Sequence, residues 1–255
     1  MLLPRILRTH RETAILFLLL LTNTALRLVA ALQPLEAVDQ RTLTDDTYLA
    51  LTIARNIARG LGPLYGNAFT NGFQPLSVFL IAPAFVLFPN DHFAPLRAAL
   101  LLLTLFDTLA LFVLHRFVRR LSSFASTPIV ASVAWIASPY TLSMALNGLE
   151  TLIAVFFILA SLTYFHSINH RYTTTGQLRH YLFLGLLLGG AILARIDTGL
   201  LAVALAAMFV WQHRRQWDTR TSIALLRMVA GTLAARFPLG DVCVWIHQPP
   251  LPYQR

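Results

Sequence analysis

The sequence predicts an all-α fold, a polytopic helix bundle in a membrane, and three observations predict it. Of 255 residues, 56% are hydrophobic and only 12% charged, so a water-soluble globule of this size would lack the polar surface to cover itself. Apolar runs of about 17 to 20 residues recur, each long enough to cross roughly 30 Å of hydrocarbon as a helix that satisfies its own backbone groups. The basic residues are all arginine, and they gather in short loops between apolar runs, as orientation in a bilayer requires. The net charge of +9 is therefore read as membrane orientation, with lipid as partner and no nucleic acid.

The first run, Thr13 to Leu32, follows Arg5, Arg8 and Arg11. It is longer than a signal-peptide core and reads as a retained anchor. Placing segments 1–12, 116–123, 167–180 and 213–221 in the cytoplasm puts eleven of the 20 arginines inside, which the positive-inside bias favours. The spans between are then 13–32, 98–115, 124–146, 150–166, 181–194, 197–212 and 222–236, about seven in all, with the N-terminus cytoplasmic. Segments 33–97, 147–149 and 195–196 are left outside. Leu76 to Phe88 is too short for a full crossing, contains Pro83 and is closed by Pro89, so a re-entrant segment is expected there.

The first external loop is patterned. Thr44 is an expected N-cap, with Asp45 and Asp46 in a first helical turn where carboxylates meet the positive end of the dipole. Leu49, Ile53 and Ile57 share one face and Gly60 ends the helix, which predicts an amphipathic helix lying along the membrane surface. The glycines and prolines of the following stretch, Gly60 to Pro75, predict a shaped loop carrying Asn67, Asn71 and Gln74. In the spans, Gly185 and Gly189 have the spacing that lets helices approach closely. Arg27, near the outer end of the first span, is expected to snorkel to the interface. Asp107 lies mid-span, where a carboxylate is usually paired, protonated or functional. The single Cys243 allows no internal disulfide, and no cysteine or histidine cluster has zinc-site spacing.

This topology gathers three acidic features at one face: Asp45 and Asp46, Glu150 in Asn147-Gly148-Leu149-Glu150-Thr151, and Asp197 in Arg195-Ile196-Asp197. Carboxylates flanked by arginine suit a reaction in which one accepts a hydroxyl proton while cations hold an anionic leaving group such as phosphate. Each piece alone also reads as helix capping, a helix start or a solvated ion pair.

The strings Asp45-Asp46-Thr47-Tyr48, Thr70-Asn71-Gly72-Phe73-Gln74-Pro75-Leu76, Asn147-Gly148-Leu149-Glu150-Thr151 and Ala194-Arg195-Ile196-Asp197, in this order, resemble the bacterial GT-C glycosyltransferases. The likeness is to those related to protein mannosyltransferases and the aminoarabinose transferase, that is, glycosyltransferase family 39-like enzymes. The resemblance covers about residues 10 to 215. It implies an inverting hexosyl- or pentosyltransferase of the bacterial cytoplasmic membrane. Such an enzyme takes sugar from a polyprenyl-phosphate carrier to a glycan, lipid or protein acceptor on the external face. By that likeness Asp45 or Asp46 is the general base, and Glu150 helps to bind or orient acceptor or donor. Arg195 meets the carrier phosphate with Asp197 orienting it, and Tyr48, Asn71 and Gln74 line the sugar site. Some relatives use a divalent cation and others do not, which leaves a divalent cation open and no cofactor assigned.

Such enzymes are longer and usually carry a C-terminal domain. The expectation is an incomplete GT-C-like domain over 1–236 and an irregular, aberrant tail over 237–255, as in a truncated or frame-shifted product. Two other classes stay open: a small transporter, for which Asp107 would serve as a proton relay, and a non-catalytic membrane subunit.

Overall fold

The computed structural model describes residues 3–91, 93–169, 178–215 and 217–235. The expected tail 237–255, Cys243 and Arg171 lie outside the described residues. Helices follow the apolar runs: α1 (Leu3–Ala31), α2 (Leu35–Thr42), α3 (Asp45–Ala58), α4 (Pro75–Leu87), α5 (Ala94–Leu121), α6 (Thr127–Ala137), α7 (Pro139–Leu146), α8 (Thr151–Asn169), α9 (Leu178–Ala194), α10 (Gly199–His213) and α11 (Thr219–Ala234). One two-residue hairpin interrupts them, β1 (Leu64–Tyr65) paired antiparallel with β2 (Ala68–Phe69).

The chain is a multi-pass membrane protein, and among the described residues length and composition alone mark four or five of the expected seven spans. Four stretches, His10–Ala31, Ala94–Leu121, Thr151–Ile168 and Ile196–His213, are long and apolar enough to cross. A fifth is broken: the expected span 124–146 is α6 and α7, bent by 57°. Pro139 has no N–H to offer the Trp135 carbonyl, so the ladder stops there and Ser138 caps the new helix by accepting from the Thr141 N–H. Over the described residues α9 is 17 residues long and α11 16, shorter than the four long stretches. These two pack tightly on each other: a Cβ on Gly185 would stand 2.1 Å from the Met228 carbonyl oxygen, and one on Gly231 would stand 2.3 Å from that of Leu182. The four-residue glycine spacing thus serves helix packing, as expected.

Helix α5 runs back along α1. At one end Arg97 donates to the carbonyls of Ala31 and Gln33 at 2.8 and 3.1 Å; at the other Arg119 reaches Glu12 at 3.3 Å. Everything between Gln33 and Arg97 therefore leaves and returns at the same end of the bundle. Helix α4, 13 residues with Pro83 inside, spans about 20 Å and does not make a net crossing, so the re-entrant expectation holds. It is held there by α3, whose Leu51, Ile53 and Ala54 bury against Val78, Ile81 and Ala82. Thr44 does precede α3, and Gly60 beyond its end takes φ +74°.

Arg27 does not snorkel. Its side chain is 1% exposed and its Nε lies 3.0 Å from Asp107 Oδ2, itself fully buried. Asn23 donates to the same oxygen at 2.7 Å and Trp135 Nε1 to the other at 2.9 Å. The Arg27 guanidinium continues to the Ile136 carbonyl and the Thr141 hydroxyl, both at 3.0 Å, and to the Trp135 carbonyl that Pro139 leaves without its helical donor. A charge in hydrocarbon is retained where a counter-ion and hydrogen bonds meet it. Here that network joins α1, α5 and the α6–α7 break.

Candidate functional site

The site begins at the first turn of α3. Thr47 Oγ1 accepts from the Thr44 N–H at 3.4 Å and lies 3.1 Å from the Thr44 hydroxyl, so the turn carrying Asp45 and Asp46 is capped by threonines and both aspartates are left exposed. Thr47 is fully buried because it docks on the loop before α8, where its hydroxyl donates to the Asn147 carbonyl. Asn147 Oδ1 in turn accepts from the Leu149 N–H at 2.9 Å and shapes the turn. Thr42 adds a second tie, donating to the Leu146 carbonyl at 3.1 Å.

Gly148 is required on two counts. Its φ is +75°, and a Cβ there would stand 2.2 Å from Thr47 Cγ2. Gly148→Ala should lower stability by the roughly 1–3 kcal/mol of the strained backbone, plus the clash with Thr47, read as a fall in the thermal midpoint of the purified protein. Adding Thr47→Ser removes the clashing methyl, keeps the hydroxyl and should recover part of the loss; no recovery would mean that the contact with α3 does not set the loop.

Two residues after Gly148 comes Glu150, its side chain only 13% exposed, with Arg195 Nη1 at 3.5 Å. Arg195 is also forked onto Asp197, Nη2 to Oδ2 at 3.0 Å and Nε to Oδ1 at 3.3 Å. These groups meet because the end of α9 packs on the start of α8: Ala194 buries against Ile153 and Ala154, with Leu76 of α4 on the same cluster. Burial pushes the Glu150 carboxyl above the usual carboxylate range, the charges of Asp46 and Asp197 push it the same way, and Arg195 opposes them. The bond to Asp197 holds the Arg195 guanidinium up.

Asp46, Glu150, Arg195 and Asp197 thus form one electrostatic group, with Asp45 beside it on the same helical turn. Gln74 caps α4 two residues before Leu76 and so lies at its edge, its carbonyl accepting from Ser77 Oγ at 3.0 Å. Asn71 is exposed in the loop before it. Tyr48 joins a different group: its hydroxyl donates to Asp39 at 2.5 Å, which pushes its pKa up to about 12, and it lines a cavity of about 640 Å³ between α2, α3 and α4. Sequence reasoning assigned no role to Thr47, Asn147 or Gly148; the signal was the Thr-x-x-Thr pair at the helix start, which is a capping pattern. Among the described residues, no three His, Cys, Asp or Glu side chains are grouped to hold a metal ion.

With this geometry in hand, the family model for dolichyl-phosphate-mannose-protein mannosyltransferase matches residues 74–240, well over half of the chain. The chain belongs to that family. It is a membrane glycosyltransferase-type protein of the GT-C class, and no curated protein matches it further. Within the mannosyltransferase-family match lie Gln74, Glu150, Arg195 and Asp197; Asp45 and Asp46 precede it. The transporter alternative loses its one support, since Asp107 is fully engaged by Arg27, Asn23 and Trp135.

Proposed function

We propose that this mannosyltransferase-family protein transfers a sugar from a polyprenyl-phosphate carrier to a glycan, lipid or protein hydroxyl at the external face of a bacterial cytoplasmic membrane. The observation that carries the reading is the Asp46–Glu150–Arg195–Asp197 group, built where α3 docks on the Asn147–Glu150 turn. Asp45 or Asp46, exposed at the start of α3, accepts the acceptor's proton as its oxygen attacks the anomeric carbon. The carrier phosphate leaves with the bonding electrons and is met by Arg195, which Asp197 orients. Glu150 holds an acceptor or donor hydroxyl, and Gln74 and Asn71 line the sugar at the mouth of α4. Tyr48 contributes from the neighbouring cavity rather than from the carboxylate group.

The orientation follows from charge. Arg116, Arg119 and Arg120 sit at the end of the bundle that holds Glu12 and the first turns of α1, while the carboxylate group sits at the opposite end, which supports a cytoplasmic N-terminus. A divalent cation remains outside the proposed mechanism.

Transfer of radiolabelled sugar from polyprenyl-phosphate donors to membrane acceptors, in vesicles holding the inserted chain, tests the reading. Turnover supports it; none, in a chain shown to be folded, overturns it in favour of a non-catalytic subunit. A pH series tests the electrostatics. Arg195 holds the Glu150 carboxyl down against burial, so Arg195→Met lets it rise further. Activity needing ionised Glu150 should then fade at higher pH as the solution is acidified, with the acid limb moved upward and the alkaline side unmoved. An acid limb left in place would remove Glu150 from the titration.

A further inference from the structure

Apart from Tyr48, the cavity between α2, α3 and α4 has a composition the transfer reaction does not use. One stripe of α3, Tyr48, Leu51, Arg55 and Arg59, forms a wall of this 640 Å³ space, and α2 faces it with Glu36 and Asp39. The base is apolar, from Phe85, Val86 and Leu96, and continues outward onto exposed Leu87, Phe88 and Phe93. The two guanidinium groups are one helical turn apart on one side; the carboxylates of Glu36 and Asp39 face them from α2, and Asp91 also lines the cavity. Arg55 Nε is buried and has no hydrogen-bond partner, a state that a ligand acceptor would relieve.

We propose that this cavity binds an aminophospholipid, a lipid whose headgroup joins a phosphodiester to a primary ammonium. The phosphate seats on Arg55 and Arg59, which offer forked donors to its oxygens. The ammonium, with three N–H donors, meets Glu36 and Asp39, and the acyl chains run over Phe85 and Val86 onto the exposed apolar face of α4. An anionic headgroup without an amine would meet two carboxylates with nothing to offer them. A quaternary ammonium would have no N–H to donate. A free phosphate would leave the apolar base uncovered, and the position of the cavity at the bundle end, beside a helix that dips in and returns, puts lipid within reach.

The experiment is native mass spectrometry of the full chain, delipidated in detergent and offered phosphatidylethanolamine, phosphatidylglycerol and phosphatidylcholine at equal concentration. Phosphatidylethanolamine should be retained about tenfold over each of the others, Arg55→Gln should reduce that retention about tenfold, and Asp39→Asn should erode the preference over phosphatidylcholine. Equal or stronger retention of phosphatidylglycerol by the unaltered protein would overturn the proposal, as would unchanged selectivity in Asp39→Asn, an exposed position where the asparagine keeps an oxygen to accept from the Tyr48 hydroxyl. The decisive comparison uses the unaltered chain, so a poorly folding Arg55 variant leaves the test intact. Loss of the lipid site leaves the sugar-transfer reading standing, since that reading is carried by the Asp46–Glu150–Arg195–Asp197 group, which includes neither Arg55 nor Asp39.

Discussion

Sugar transfer by the Asp45→Asn/Asp46→Asn variant should fall by about 10²- to 10⁴-fold, the usual contribution of a positioned general base. The fall should be in turnover and not in insertion or folding. The turn that holds the two aspartates is capped by Thr44 and Thr47 and anchored to Asn147, and none of those contacts uses a carboxylate. What the asparagines remove from stability is the attraction of two exposed charges to the helix dipole, on the order of 0.3–1 kcal/mol each. The single variants assign the base: the one that carries the loss accepts the proton. Unchanged turnover in the double variant, with the chain folded, would place the base outside this loop and sink the assignment.

The largest effect on stability is expected at Arg27. Arg27→Met keeps the length of the side chain but strands Asp107, fully buried, with only Asn23 and Trp135 as donors. Removing one partner of a buried ion pair costs about 3–5 kcal/mol, and it also takes away the guanidinium donor to the Ile136 carbonyl at the α6–α7 break. Thermal unfolding in detergent should show a lowered midpoint, by on the order of 10 °C. The double change Arg27→Met/Asp107→Leu should regain much of the loss, because no uncompensated charge remains in the hydrocarbon. A double variant as unstable as the single one would show that the arginine acts through the Ile136 carbonyl and the Thr141 hydroxyl and not through its counter-ion.

The two residues show where sequence reading reaches its limit. Arg27 and Asp107 were each legible as an awkward charge within an apolar run, but their pairing was not, because 80 residues separate them and the pairing depends on α5 returning antiparallel along α1. Without a partner in view, snorkelling is the reasonable expectation for an arginine near a span end. The same holds for Tyr48. The family resemblance placed it at the sugar site with Asp45 and Asp46, yet successive helical residues point about 100° apart, and α3 turns it toward Asp39.

What the sequence by itself determined is the class of solvent and the local stops: apolar runs long enough to need a bilayer, the helix from Asp45 closed near Gly60, the short proline-bearing α4, and the acidic strings that mark one end. Those are set by hydrophobic length, capping and proline, all of which act within a few residues. Tertiary structure alone decided that Thr47 docks on the Asn147 turn, that Gly148 has no room for a Cβ, that Glu150 is brought beside Arg195, and that the expected span 124–146 is bent at Pro139 around a buried guanidinium. Each of these depends on side chains from distant segments meeting in a medium that offers no water, where an unmet polar group is expensive enough to select its partner.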